Sequence, residues 1–245
     1  MPAIKASLSD LRHADGSATF SQNGYSVLGA VNGPLEVQRR DELPEEAAIE
    51  VNVRPASGVG SPKERHLETL IHNTLRHVIL VRNHPRTLIQ VTLQVLTVPE
   101  GDAADDRSRS SVLSILPALL QASILSLVSA SIPLSTTFAS TILAVSPSNA
   151  LIATPSVKDL TSATSLHVFA FAPKGELLLA ESEGAFDLDT WEQLHDAAAQ
   201  ICCAAAEGSG MDVDAGAGGA ENLHQVLKGA VRQKVKREQA WKEAP

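Results

Sequence analysis

The chain has 245 residues, with 20 Lys and Arg against 28 Asp and Glu, a formal net charge of −8, 44% apolar residues and 3% aromatic ones. These values exclude collagen-like, coiled-coil and wholly disordered chains, and a chain of this length buries about three quarters of its unfolded surface without a disulfide or metal staple. Cys202 and Cys203 are adjacent, a poor geometry for a mutual disulfide, and no Cys/His spacing resembles a zinc site. Met1-Pro2-Ala3-Ile4-Lys5 lacks the features of a secretory leader and no Asn-x-Ser/Thr acceptor occurs, so the expected compartment is the cytosol or nucleus.

Charge is distributed unevenly. Residues 1–109 carry 12 basic and 14 acidic groups, residues 110–220 carry 2 and 11, and residues 221–245 carry 6 and 3. A protein that grips nucleic acid over a broad face concentrates Lys and Arg there. This chain does not, so any RNA footprint is expected to be narrow and confined to the first half or to the tail.

In chain order, residues 16–34 read as two short strands around Asn23-Gly24, a pair that tolerates the positive φ of a type I′ turn. Ala48 to Pro55 alternates Ile49, Val51 and Val53 with Glu50, Asn52 and Arg54, the pattern of a strand with one buried face. Ser61-Pro62-Lys63-Glu64 starts a helix, with Leu67, Leu70, Ile71, Leu75 and Val78 on one stripe and His84-Pro85 as its close. Leu88 to Val98 reads as a strand and Glu100 to Arg109 as a polar loop. Ser110 to Val157 contains no charge, and Val112 to Leu134 is long enough to span a bilayer. Its serines, Pro117 and the lack of aromatic or basic anchors favour a helix buried between layers instead. Strands are expected at Thr137 to Val145, Leu166 to Ala172 and Glu176 to Glu181, then a helix from Asp187 to Ala206. The order predicts a mixed α/β domain with crossover helices. The expected division is a domain over residues 1–206, a Gly/Ala/Asp-rich flexible linker over 207–220 and a basic amphipathic helical tail over 221–245. That tail reads either as a helix packed on its own domain with a wet charged face or as an RNA- or partner-binding segment.

Catalytic templates are absent: there is no phosphate-binding G-x-x-x-x-G-K-[ST], no G-x-G-x-x-G, no G-x-S-x-G and no H-E-x-x-H. His66, His72, His77 and His84 are spaced by six, five and seven residues, not the i, i+4 of a helical metal pair. Asp187 and Asp189 are expected to supply negative charge at a helix N-terminus rather than an acid pair.

At Arg12, Asp15-Gly16-Ser17-Ala18, Val27-Leu28, Val31, Gly33-Pro34 and Glu36-Val37 the chain resembles the ribonuclease PH-like subunits of the RNA exosome. The likeness continues through Glu64-Arg65-His66-Leu67-Glu68, His84-Pro85-Arg86-Thr87, Ile89-Gln90-Val91, Leu93-Gln94-Val95-Leu96 and Ile132-Pro133-Leu134. It is weaker from Lys174-Gly175 to Glu183-Gly184, and covers roughly residues 8 to 204. The resemblance implies the ribonuclease PH-like fold, two βαβα halves of the ribosomal protein S5 domain 2-like type, here with a C-terminal helix added.

Active members of that family are phosphorolytic or hydrolytic exoribonucleases working from the RNA 3′ end. They hold phosphate with a Gly-Thr-Arg-Thr-like loop just before a helix and use a pair of aspartates on a later strand. Setting the family's Ala-Ser-Ile against Ala122-Ser123-Ile124 puts Leu119, Leu120 and Gln121 at the Thr-Arg-Thr positions, where two leucines offer phosphate neither donor nor charge. Leu166-His167-Val168-Phe169 carries no Asp, and Asp159 stands alone as the nearest acid. The resemblance thus implies a subunit without catalytic residues, cofactor or metal. It would support 3′-to-5′ RNA processing and degradation in a hetero-hexameric ring of ribonuclease PH-like subunits, with S1/KH cap subunits, an associated exoribonuclease and RNA as partners, in nucleus, nucleolus and cytoplasm and not at a membrane. An active exoribonuclease with an unfamiliar site is the alternative. The candidate RNA contacts are Lys63, Arg65, Arg107 and Arg109, placed in loops or at helix starts; against them, Arg65 is spaced to pair with Glu68, and Arg107 and Arg109 lie beside Asp102, Asp105 and Asp106.

Overall fold

Alternation of apolar and polar residues in the first hundred positions builds the first sheet. The computed structural model describes residues 4–9, 11–99, 111–153, 155–203 and 223–243. Strands β1 (Lys5–Leu8), β2 (Gly16–Gln22), β3 (Tyr25–Glu36), β4 (Ala48–Arg54) and β5 (Thr87–Thr97) lie in the order β1-β2-β3-β5-β4. All neighbours are antiparallel except β4 and β5. Those two run parallel because helix α1 (Pro62–Val78) carries the chain across between them. Tyr25, Val27, Val31, Ile89, Val91 and Leu93 face the core. Asn23 and Gly24 take φ of 53° and 82° in the β2–β3 turn, as their side chains permit. Strand β1 was not expected: four residues, Lys-Ala-Ser-Leu, carry too little pattern to announce an edge strand.

Helix α1 starts where expected. Ser61 caps it, accepting from the Lys63 N–H, while Glu64 reaches back to accept from the Ser61 N–H at 2.6 Å. It stops at Val78, short of His84-Pro85, because Ile79 turns extended (φ −76°, ψ 135°) to bridge Leu134, and the Leu80 N–H donates to the Pro133 carbonyl at 3.1 Å. The pairing of buried Ile79 with half-buried Leu134 ends the helix before the proline can.

The uncharged segment forms a 3-10 turn (Val112–Ser114) and helix α2 (Leu116–Ser129), in which every residue except Val128 is buried. By length and hydropathy Val112–Ser129 could cross a membrane, but 83% of it is buried inside the protein. It lies against the first sheet so closely that two strand glycines serve as the contact. A Cβ on Gly16 would collide with the backbone of Ser126 and Ala130, and one on Gly29 would lie 2.9 Å from the Ala122 carbonyl oxygen.

A second sheet covers the other side of α2. Strands β6 (Ala139–Val145), β7 (Leu151–Ile152), β8 (Ser165–Phe171) and β9 (Leu177–Gly184) lie in the order β7-β6-β8-β9. All positions of β6 and β8 are buried, because helices occupy both faces. Ile142, Ala144, Val168 and Ala170 join the main core with α2, while Leu143, Phe169 and Phe171 meet Leu194, Ala198 and Cys202 of helix α4 (Leu188–Cys203). The short β7 and helix α3 (Val157–Ser162) were not expected. The succession β4-α1-β5-α2 is a βαβα half, and β6-β7-α3-β8-β9-α4 repeats it with an antiparallel strand pair in place of each strand. Cys202 is buried, its thiol pushed up to about 12 chiefly by that burial, which leaves it an inert core residue.

Helix α5 (Leu223–Glu243) closes the chain, with Leu227 and Ala230 buried on the domain. The Lys234 ammonium donates to the Ser129 carbonyl at 2.8 Å, giving the C-terminus of α2 the cation that its own last turn lacks. The expected linker over 207–220 lies outside the described residues.

The Gly16 contact is directly testable. Gly16→Ala should cost about 3 kcal/mol, since a methyl group must displace helix backbone, and lower Tm by roughly 6–12 °C in thermal unfolding. A shift below about 2 °C would show that α2 does not lie on β2 as described.

Candidate functional site

Two places bear on RNA chemistry: the entry to α2, where the resemblance puts a phosphate loop, and strand β8, where it puts acids. Leu119, Leu120 and Gln121 lie inside α2, a full turn past its start, and are fully buried. The residues just before the helix are instead Ser111 to Ile115, so that is where a loop preceding a helix falls. Neither register holds a cation. The turn is also bonded within the domain. The Leu113 N–H donates to Ser111 Oγ at 3.1 Å, Tyr25 Oη to Ser114 Oγ at 3.1 Å and Ser114 Oγ to the Ser111 carbonyl at 2.7 Å. Pro117, in the first turn of α2, has no N–H to give. Ser111 Oγ donates to the Glu183 carboxylate at 2.5 Å, which stations a negative charge at the mouth of the turn. An approaching phosphate would meet an anion there, with no Arg or Lys among the described residues of the turn to offset its desolvation.

On β8, the position expected to lack an acid holds a buried imidazole. His167 Nδ1 lies 2.8 Å from Ser182 Oγ and Nε2 lies 2.9 Å from Ser165 Oγ. The ring stacks on Phe169 and meets the edge of Phe186. Burial pushes His167 down to about 4, since no carboxylate stands beside it to favour the charged form. In the sequence His167 reads only as a strand residue. Its serine partners lie on the same strand and the next, so the i+2 spacing of Ser165 and His167 was the one available signal.

Asp159 is engaged as the third residue of α3, accepting from the Ser156 N–H at 2.9 Å and Ser156 Oγ at 2.7 Å. Those bonds hold its carboxyl below the usual range. Asp187 and Asp189 line a small cleft at the start of α4 with Asn149, Leu151, Thr190 and Gln193. The cleft is polar and without a cation, so it too disfavours phosphate. Among the described residues no group of three His, Cys, Asp or Glu side chains is placed to hold a metal ion.

Of the candidate RNA contacts, Lys63 and Arg65 share the first turn of α1. The Arg65 guanidinium is exposed and pairs with Glu68 at 3.4 Å, and Glu68 also accepts from the Val53 N–H at 2.9 Å, tying α1 to β4. An exposed i,i+3 pair of this kind is weak and yields readily to another anion. Arg107 and Arg109 lie outside the described residues. The Asp15-Gly16-Ser17 motif performs structural work: Asp15 accepts from the Gly33 N–H at 2.9 Å and Ser17 Oγ accepts from the Leu11 N–H at 2.9 Å.

The profile of the 3′ exoribonuclease family, domain 1, matches residues 3–133. The chain belongs to this family. It is 32% identical over 207 residues to the exosome complex component RRP46 of Saccharomyces cerevisiae, covering 82% of this chain and 90% of that one. The crystal structure of rice Rrp46 superposes with a TM-score of 0.69 at 25% identity, over 80% of this chain and 86% of that one. An Archaeoglobus fulgidus exosome structure with RNA bound to the active site superposes with a TM-score of 0.65 at 15% identity, covering 81% of this chain and 84% of that one; this shows a shared fold. Among exosome ring subunits the motifs quoted above are most like the ribosomal RNA-processing protein 46 type, the name that the yeast and rice relatives carry.

The buried imidazole gives a pH prediction. A folded pKa near 4 against 6.5 unfolded means that His167 contributes stability fully above pH 6.5, lost progressively as pH falls toward 4. The loss amounts to about 3 kcal/mol at its limit. His167→Gln should be less stable than the parent at pH 7, with the gap narrowing as pH falls in denaturant titrations. Parallel curves for the two proteins would refute the assignment.

Proposed function

We propose that the chain is a non-catalytic subunit of an exosome-type ring. It would assemble with other ribonuclease PH-like chains and support 3′-to-5′ processing and degradation of RNA, as in rRNA maturation, RNA surveillance and mRNA turnover. The observation that carries this reading is the entry to α2: both registers for a phosphate loop are uncharged, and the turn that precedes the helix is bonded to Glu183. Strand β8 supports the same reading, because its buried positions carry His167 between two serines and no aspartate. A scaffold needs neither group. It needs faces that neighbours can cover and a path for RNA, with strand cleavage left to an associated exoribonuclease and RNA admitted through S1/KH cap subunits.

Lys63 and Arg65 are the RNA contacts proposed within the described residues, with Arg107 and Arg109 completing the set. Both described cations sit in the first turn of α1, and the exposed Arg65 is long enough to meet a phosphate backbone. The proposed setting is the nucleus, including the nucleolus, and the cytoplasm, where such an assembly meets its RNA. Against the second reading, an active phosphorolytic or hydrolytic exoribonuclease, the described residues of the α2 entry and of β8 supply neither a cation nor an acid pair.

The test is a 3′-end assay. A 5′-labelled single-stranded RNA incubated with the purified chain, with inorganic phosphate or with Mg²⁺, should stay at full length under both conditions. Ladder-like shortening by this chain alone would overturn the scaffold reading.

A further inference from the structure

We infer that helix α5 carries an RNA-backbone contact of its own, a stripe formed by Lys228, Arg232 and Lys236. The helix holds six cations, and the structure divides them by role. Lys234 is engaged on Ser129 and paired with Glu238 at 3.6 Å; Arg237 Nη2 donates to the Leu8 carbonyl at 3.4 Å. Lys242 sits over the Trp241 ring. Lys228, Arg232 and Lys236 do none of this: all three are exposed, and among the described residues none has a carboxylate partner.

Their placement is regular. Four-residue spacing advances each by about 40° around the helix, so the three fall within about 80° and lie about 6 Å apart along the axis. That stripe is turned away from the docked face that carries Leu227 and Ala230, so the contacts holding α5 to the domain leave it open. Between residues 225 and 241 the one acidic side chain is Glu238, and Lys234 engages it.

Charge complementarity identifies the occupant. The chain carries −8 overall, and a row of unpaired cations on an acidic protein is self-attracting to its own surface unless it is held clear of it. The docked helix holds it clear. A row of point charges without a surrounding pocket or apolar groove selects a polyanion without reading sequence, which is how Lys and Arg bind a nucleic-acid backbone. The identity of that polyanion as RNA rests on the proposed ring-subunit function. The stripe adds to that reading a second contact, on the C-terminal helix and separate from the start of α1.

The test uses the purified full-length chain and a fluorescent oligouridylate titrated at several salt concentrations. In K228Q/R232Q/K236Q, three lost phosphate contacts should reduce the magnitude of the log–log salt slope by about 2 and weaken binding roughly 100-fold near 0.1 M salt. The control R39Q/R82Q/K174Q removes the same net charge from exposed cations elsewhere and should bind within about threefold of the parent. Equal losses in the two variants, no loss in the stripe variant, or no binding by the parent would each overturn the inference. Tagged copies of both variants recovered from cells should bring down ribonuclease PH-like chains as the parent does. A stripe variant that keeps its RNA affinity but loses those chains would assign the stripe to a protein partner and overturn the RNA contact. A parent recovered without such chains would refute the ring reading, while the titration would still report on the stripe.

Discussion

The architecture depends on one uncharged helix pressed between two sheets. Helix α2 has protein on all sides, and its closeness to the first sheet is set by the bare backbone of Gly16 and Gly29. A helix buried this way must satisfy its polar groups internally. Its serines do so: Ser123 Oγ donates to the Leu120 carbonyl at 2.7 Å and Ser126 Oγ to the Ser123 carbonyl at 2.9 Å. Gln121 Nε2 donates to Ser140 Oγ at 3.2 Å, while its Oε1 is the polar atom of the helix left buried without a partner among the described residues. An ionised side chain in that setting would cost far more than any of these bonds returns. The condition that makes α2 a good core is therefore the condition that keeps a phosphate-binding arginine out of it.

Charge removed from the centre reappears at the C-terminal helix, where it is put to two uses. Lys234 completes the electrostatics of α2 from outside, meeting the partial negative charge of its last carbonyls at Ser129. The cations on the far side of α5 stay in water. The same element thus closes the core and presents a positive stripe, and the buried Leu227 and Ala230 keep those two faces apart. At the entry to α2 the polarity is opposite, with Glu183 held against Ser111.

Much of this was legible in the residues. Alternation at Ile49, Val51 and Val53 and the Asn23-Gly24 turn described the first sheet, because one wet face leaves a period of two in the sequence. Pro62 in the first turn and the acidic Glu64 beside it marked the start of α1, which the structure closes with a capping box from Ser61. The end of α1 was not legible, since it is decided by Ile79 meeting Leu134, 55 positions away. Nor were β7 and α3, whose lengths are too short to show a period. Strands β6 and β8 are buried on both faces and so carry no alternation; their apolar runs gave existence but not orientation. At the candidate site, the absence of cations from residues 110–157 was plain. The register of the phosphate loop was not, because a helix start must be seen before the residues in front of it can be named. The His167–Ser182 pair was hidden for a related reason, as it exists only once β8 and β9 are in register.

As proposed, this chain works as one member of a mixed ring and leaves cleavage to another subunit. Native mass spectrometry of a tagged copy recovered gently from its own cells tests it most directly. Stoichiometric recovery with other ribonuclease PH-like chains and cap subunits is expected. Recovery as a free monomer or as a homo-oligomer would contradict it.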